Sequence, residues 1–122
     1  MSFDRVQEYL ADNGYPRHIV EGGRGGLIQR WREFVSEVEK GYARGLEDYR
    51  NDLDLRMIIK MAGAEDAEIR QLDERLQKML KPIKTRLWES GPGKPFWDFG
   101  YPSNASGELL RDLKLEGIDL SK

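Results

Sequence analysis

The stretch EDYRNDLDLR, residues 47–56, decides how the chain is read, because it sets four acids, two arginines and an asparagine around one tyrosine and two leucines. On a helical wheel of roughly 100° per residue, Leu46, Tyr49, Leu53 and Met57 share one face, while Leu55, Ile58, Ile59 and Ala62 gather nearly opposite. Two continuations fit. Either one helix runs on, buried on both faces from Leu53 and central to the fold, or the chain breaks near Asn51 and Asp52, which then cap a new helix. Under the first, Asp48, Asn51 and Asp52 form a polar rim above the second apolar face. Asp52 and Arg56 stand four apart, as do Arg50 and Asp54, so local ion pairs can satisfy two of the aspartates.

Upstream of this stretch, Leu27, Trp31, Phe34, Val35 and Val38 fall on one stripe with Arg30, Arg32, Glu33, Glu37 and Lys40 elsewhere, which predicts a helix stopped by Gly41. The link YARG at 42–45 is so short that this helix and the next, running from Gly45–Glu47 toward Gly63, are expected as antiparallel neighbours. At the N-terminus, Phe3, Val6 and Leu10 predict a short helix capped by Ser2 and stopped by DNG at 12–14. Between these helices, RHIVEGGRGG at 17–26 reads as a loop or hinge, since each glycine weakens a helix by about 1 kcal/mol relative to alanine.

Downstream, Ile69, Leu72, Leu76, Met79, Ile83 and Leu87 keep a near-heptad rhythm, predicting a helix from about Ala64 to Glu89 with a kink or break just before Pro82. SGPGKP at 90–95 ends it. FWDFGYPSNASG then reads as an extended aromatic segment, followed by a short helix through Leu109, Leu110 and Leu113 capped by Ser106 or Asn104. No segment reads as a strand. The expected fold is all-α: a compact bundle of three to four main helices with an extended aromatic C-terminal strap and a short last helix. It is expected as one domain over 1–122, with the bundle in 1–90 and the strap and last helix in 91–122.

Hydrophobic residues make up 39% of the 122-residue chain and charged residues 34%, a composition too rich in Trp, Phe and Leu for disorder. Twenty basic against 22 acidic residues give a net charge of −2. That balance supplies no long-range attraction to nucleic acid, so the row Lys78, Lys81, Lys84, Arg86 and Lys94 is read as a helix C-terminal charge pattern and nucleic acid is not expected as a partner. Absence of cysteine excludes disulfides, thiolate metal sites and Cys nucleophiles. With neither a secretory leader nor a membrane-length apolar run, a cytoplasmic setting is expected and no membrane association.

Chemistry-bearing patterns are few. Arg24, Gly25 and Gly26 stand directly before a helix, where free N–H groups and one guanidinium suit an anion, but the Gly-Lys-Ser/Thr ending of a phosphate loop is missing. His18, the single histidine, has Glu21 three residues on, yet a bundle metal site needs a second such pair. Asp48 and Asp52 lie one turn apart, as do Glu33 and Glu37, and carboxylates from two helices can hold a divalent metal. The wheel turns Glu33 and Glu37 to water. Phe96, Trp97, Phe99 and Tyr101 either strap across the helices or anchor a partner.

The reading that follows is a small protein-interaction or regulatory domain without catalytic residues, resident metal or cofactor, meeting a protein partner or a second copy. Its contact residues are Asp48, Asp52, Arg56, Phe96, Trp97, Phe99 and Tyr101, with the Ile69–Leu87 stripe as a second route to a homodimer. The competing reading is a small helical enzyme or ligand binder, with a carboxylate-held metal at Asp48 and Asp52 or an anion at Arg24.

Overall fold

The computed structural model describes residues 4–81 and 100–118. Helix α1 (Arg5–Asp12) is followed by α2 (Arg17–Gly41), α3 (Leu46–Met61), α4 (Ala67–Met79), two-residue strands β1 (Leu80–Lys81) and β2 (Tyr101–Pro102), and α5 (Gly107–Leu115). The chain is thus an all-α compact bundle. Helix α2 is its centre, packing against α1, α3 and α4, while α5 lies on α3.

The cap of α1 is Asp4, not Ser2. Its carboxylate accepts from Gln7 N at 2.9 Å and the Gln7 side chain accepts from Asp4 N at 3.1 Å, a reciprocal box that the three-residue spacing of Asp4 and Gln7 allows and that of Ser2 and Arg5 does not. Ser2 and Phe3 lie outside the described residues.

The glycine stretch is not a loop. Helix α2 runs through it with one interruption, Gly23, at φ 53° and ψ −146°. A Cβ there would stand 3.2 Å from Gln7 Cγ, so Gly23 lets the helix bend where α1 crosses it. Burial of Val20, Leu27 and Ile28 on either side holds the flanking turns despite Gly22, Gly25 and Gly26. The hinge expectation therefore narrows to one residue. Beyond it Leu27, Trp31, Phe34, Val35 and Val38 are all buried as the stripe predicts, and Gly41 at φ 100° ends the helix.

Helix α3 is unbroken through Asn51 and Asp52. It does not bury two faces. Its fully buried stripe is Tyr49, Leu53, Arg56 and Ile59, one face with a cation in it, whereas Leu55, Met57 and Ile58 are half-buried and Met61 is 58% exposed.

Helix α4 starts at Ala67, capped by Asp66, whose carboxylate accepts from Ile69 N at 2.9 Å. It stops at Met79, ten residues short of the expected Glu89. Pro82 explains the early stop: its ring excludes a helical turn back to residue 78 and disfavours helical backbone in the residue before it. Leu80 and Lys81 are extended and pair antiparallel with Pro102 and Tyr101. This small bridge was not expected. Ile69, Leu72 and Leu76 are buried inside the bundle, so the first half of the supposed dimer seam is already covered; Ile83 and Leu87 lie outside the described residues.

The returning chain closes the end of α2. The Asn104 amide donates to Val38 O at 3.1 Å and Ser106 N to Tyr42 O at 3.0 Å, satisfying carbonyls that a helix end leaves without partners, and Glu108 N donates to Ala43 O of the link at 2.9 Å. Ser106 stands at the N-cap position of α5 as expected, but its hydroxyl donates to Gly41 O at 3.4 Å instead of capping the helix, and Leu109 and Leu113 are buried. The Asp112 carboxylate accepts from Leu46 N at 3.0 Å, tying α5 to the start of α3. Among the described residues no helix is long and apolar enough to cross a membrane.

Candidate functional site

A cleft of about 850 Å³ opens between α2 and α3. Helix α2 contributes Gln29, Arg30, Glu33, Ser36, Glu37 and Lys40, a stripe at three- and four-residue spacing on the face away from its buried residues; α3 contributes Asn51, Asp52, Leu55 and Ile58. Phe34 reaches its floor from below. Leu55 and Ile58, one turn apart and partly buried against the core, give the cleft an apolar strip.

Arg44, from the four-residue link, holds one end of the cleft. Its Nε and Nη2 reach the two oxygens of Glu37 at 3.0 and 2.7 Å, and Nη2 also lies 2.7 Å from Asp52 Oδ2. The guanidinium sits 5.2 Å from the centre of the Tyr42 ring, whose hydroxyl donates to Asp52 Oδ2 at 2.7 Å. Burial raises the Asp52 pKa above its ordinary 3.8, and the Tyr42 and Arg44 bonds offset this only in part. Burial, then the Asp52 carboxylate, pushes the Tyr42 hydroxyl far up. The bond to Glu37 raises Arg44.

Further along the same pair of helices, Trp31 Nε1 donates to Asp73 Oδ1 at 3.0 Å and Arg56 Nε to both Asp73 oxygens at 3.1 and 3.0 Å. Arg56 also binds Glu65. Because residue 37 lies beside 52 and residue 31 beside 56, α2 and α3 run in opposite directions, as the short link requires.

The predicted site residues scatter. Asp52 lines the cleft, whereas Asp48 is turned to the helix start, its carboxylate accepting from Gly45 N at 3.2 Å. The two carboxylates sense one another, Asp48 adding to the rise of the Asp52 pKa, but each is bonded to different partners. Arg56 does not pair with Asp52 in a rim; it is only 4% exposed and belongs to the Asp73 network. Tyr101 is 1% exposed, with its ring centre 6.2 Å from that of Tyr49, so it completes the core. Phe96, Trp97 and Phe99 lie outside the described residues, as do Lys84, Arg86 and Lys94. Arg24 is bound to Asp66, the cap of α4, with Gly25 and Gly26 in the turn that follows the Gly23 kink. His18 is exposed. Among the described residues no three His, Cys, Asp or Glu side chains are placed to hold a metal ion.

Of the cleft lining only Asp52 is among the residues predicted from sequence; Arg44, Leu55 and Ile58 and the polar stripe of α2 are not. The signal for Arg44 lay in the link: a cation between two helices whose facing turns carry Glu37 and Asp52. The arrangement is a trough with an apolar strip and a charged edge. No family model, curated protein or solved structure matches the chain.

Proposed function

We propose that the chain is an interaction or regulatory domain, working in the cytoplasm, whose α2–α3 cleft receives a segment of another protein. One observation carries this reading: Leu55 and Ile58, only partly buried, line a trough walled by the second half of α2 and the middle of α3, so a partner's apolar side chains gain burial there without rearranging the bundle. The carboxylates that a metal would require are otherwise engaged, Asp48 by Gly45 N and Asp52 by Tyr42 and Arg44, which favours binding over metal chemistry. Arg24 is likewise held by Asp66.

The test is affinity capture from the native cells with the wild type beside two cleft variants. Leu55→Arg with Ile58→Arg removes the apolar strip, and Asn51→Trp blocks the trough from an exposed position that the core does not use. A protein retained by the wild type and lost by both variants, each with unchanged helical content, supports the reading. Retention of the same proteins by all three overturns it.

A further inference from the structure

We propose that Asn13 is a modification site: its side-chain amide is lost as ammonia through a cyclic imide closed by the Gly14 backbone nitrogen, at a rate set by opening of the end of α1. The chain has three asparagines, and only Asn13 precedes a glycine. A residue without Cβ leaves its nitrogen free to approach a neighbouring carbon closely. In the reaction hydroxide removes the Gly14 N–H proton, the nitrogen bonds to Asn13 Cγ, and the Cγ–Nδ2 bond breaks as ammonia departs with a proton from water. Water then opens the ring at either carbonyl, leaving aspartate or isoaspartate at position 13, and nothing is oxidised or reduced. The other two asparagines lack this neighbour: Asn51 lies inside α3 before Asp52, and Asn104 precedes Ala105, its amide nitrogen held by Val38 O at 3.1 Å.

The closed fold keeps these atoms apart. Leu10 O accepts from Tyr15 N at 3.1 Å and Ala11 O from Gly14 N at 3.2 Å, with Gly14 at φ 75°, the paired bonds of a Schellman helix end. The nitrogen that must attack is thus a donor already in use. Asn13 Nδ2 donates to Tyr9 O at 2.8 Å, which fixes the leaving amide against the last turn. Asn13 has ψ 10°, so the Gly14 nitrogen nearly eclipses the Asn13 nitrogen and stands well away from the Cβ that carries the amide. A five-membered ring needs the reverse, so the end of α1 must open before the ring can close. Asn13 and Gly14 are exposed at a helix terminus, where local opening costs least.

The product does not restore the helix end. Isoaspartate carries the chain through its side-chain carbon and adds one backbone atom, which puts Gly14 N and Tyr15 N out of register with Ala11 O and Leu10 O. Either product sets a carboxylate at a helix C-terminus, where the dipole disfavours it. Helix α1 lays Val6 and Leu10 on the core and Gln7 over Gly23, so loosening it uncovers the kink of α2.

The experiment incubates the full chain in mildly alkaline buffer, folded and in urea, beside Tyr15→Ala, which removes a side chain packed against the core and leaves the Asn-Gly pair intact. Peptide mapping by mass spectrometry reads the mass gained when amide becomes acid, and fragmentation separates isoaspartate from aspartate. Conversion is expected at residue 13 and not at 51 or 104, with isoaspartate present, because direct hydrolysis of the side-chain amide yields aspartate only. It is expected to run at least about tenfold faster in urea than in the folded chain, with folded Tyr15→Ala between the two. Should Tyr15→Ala lose its helices by circular dichroism, the folded and urea-treated wild type decide alone. The purified isoaspartate form is expected to melt below the unmodified chain. Equal rates in the folded and urea-treated chains overturn the proposal. So do conversion without isoaspartate, an Asn13 that stays intact whenever the chain is folded, and an isoaspartate form that melts with the unmodified chain.

Discussion

Arg56 and Asp73 form an enclosed ion pair between α3 and α4, with the guanidinium Nε 3.1 and 3.0 Å from the two carboxylate oxygens. Burial alone would lower the Arg56 pKa, but the bonds from Asp73 and Glu65 together raise it. Breaking such a pair leaves one uncompensated charge, so Arg56→Met and Asp73→Leu, made singly, should each destabilise the fold by about 3–5 kcal/mol. The double variant is expected to recover most of that loss. Urea unfolding of the four proteins measures the coupling; additive single and double effects would show that the pair does not act as a unit.

Tyr49 Oη donates to Gly100 O at 2.6 Å in the buried centre, alongside the rings of Phe34, Tyr42 and Tyr101. Tyr49→Phe keeps the ring contacts and strands that carbonyl. A loss of about 1–2 kcal/mol is expected. An unchanged unfolding midpoint would mean that Gly100 finds another donor.

Two glycines of one stretch should respond oppositely to alanine. Gly23→Ala meets both a positive φ of 53° and a contact of 3.2 Å with Gln7 Cγ, and should destabilise by about 1–3 kcal/mol. Gly25→Ala enters a helical position with nothing within 4 Å of the new Cβ and should stabilise by up to about 1 kcal/mol. Thermal melts of the two variants decide, and shifts of the same sign would refute the single-residue kink.

Asp52 titrates above its ordinary 3.8 because burial disfavours its charge. With the folded value above the unfolded one, its contribution to stability is fully present below the unfolded value and is lost as pH rises through the folded value. Over roughly pH 3 to 6, Asp52→Asn should therefore remove a component of stability that falls with pH. Subtracting the two pH profiles of urea midpoints isolates this component from Glu39, whose bond to Arg75 lowers its pKa and gives the opposite slope. A flat difference, or one rising with pH, would contradict the burial of Asp52.

The helices were legible where one rule governed them. Leu27 to Val38 and Ile69 to Leu76 are single apolar stripes, and the structure buries them. Residues 47–56 were harder, because local ion pairing explained Arg56 through Asp52, four residues away. Its actual partners, Asp73 and Glu65, are brought near only by tertiary packing, which a helical wheel does not contain. The cap at Asp4 is readable from its box with Gln7, a stronger signal than the serine two residues before it. The glycine run misled because per-residue propensity is a small term beside the burial of Val20, Leu27 and Ile28. Of the cleft, the chain order revealed the antiparallel helices but not Arg44, whose role depends on two carboxylates arriving from both sides of a turn.

The bridge between β1 and β2 has a further meaning for the chain as a thread. Lys81 and Tyr101 are register partners, and Ser103 N donates to Met79 O at 2.7 Å beside them, so backbone far apart in sequence is stitched together at the end of α4. The entropy cost of joining distant points of a chain grows only slowly with the stretch between them, by about 0.6 kcal/mol per doubling of length. One short seam thus fastens three helices: Ser103 holds the end of α4, the adjacent Asn104 holds the end of α2 through Val38 O, and α5 starts directly after them.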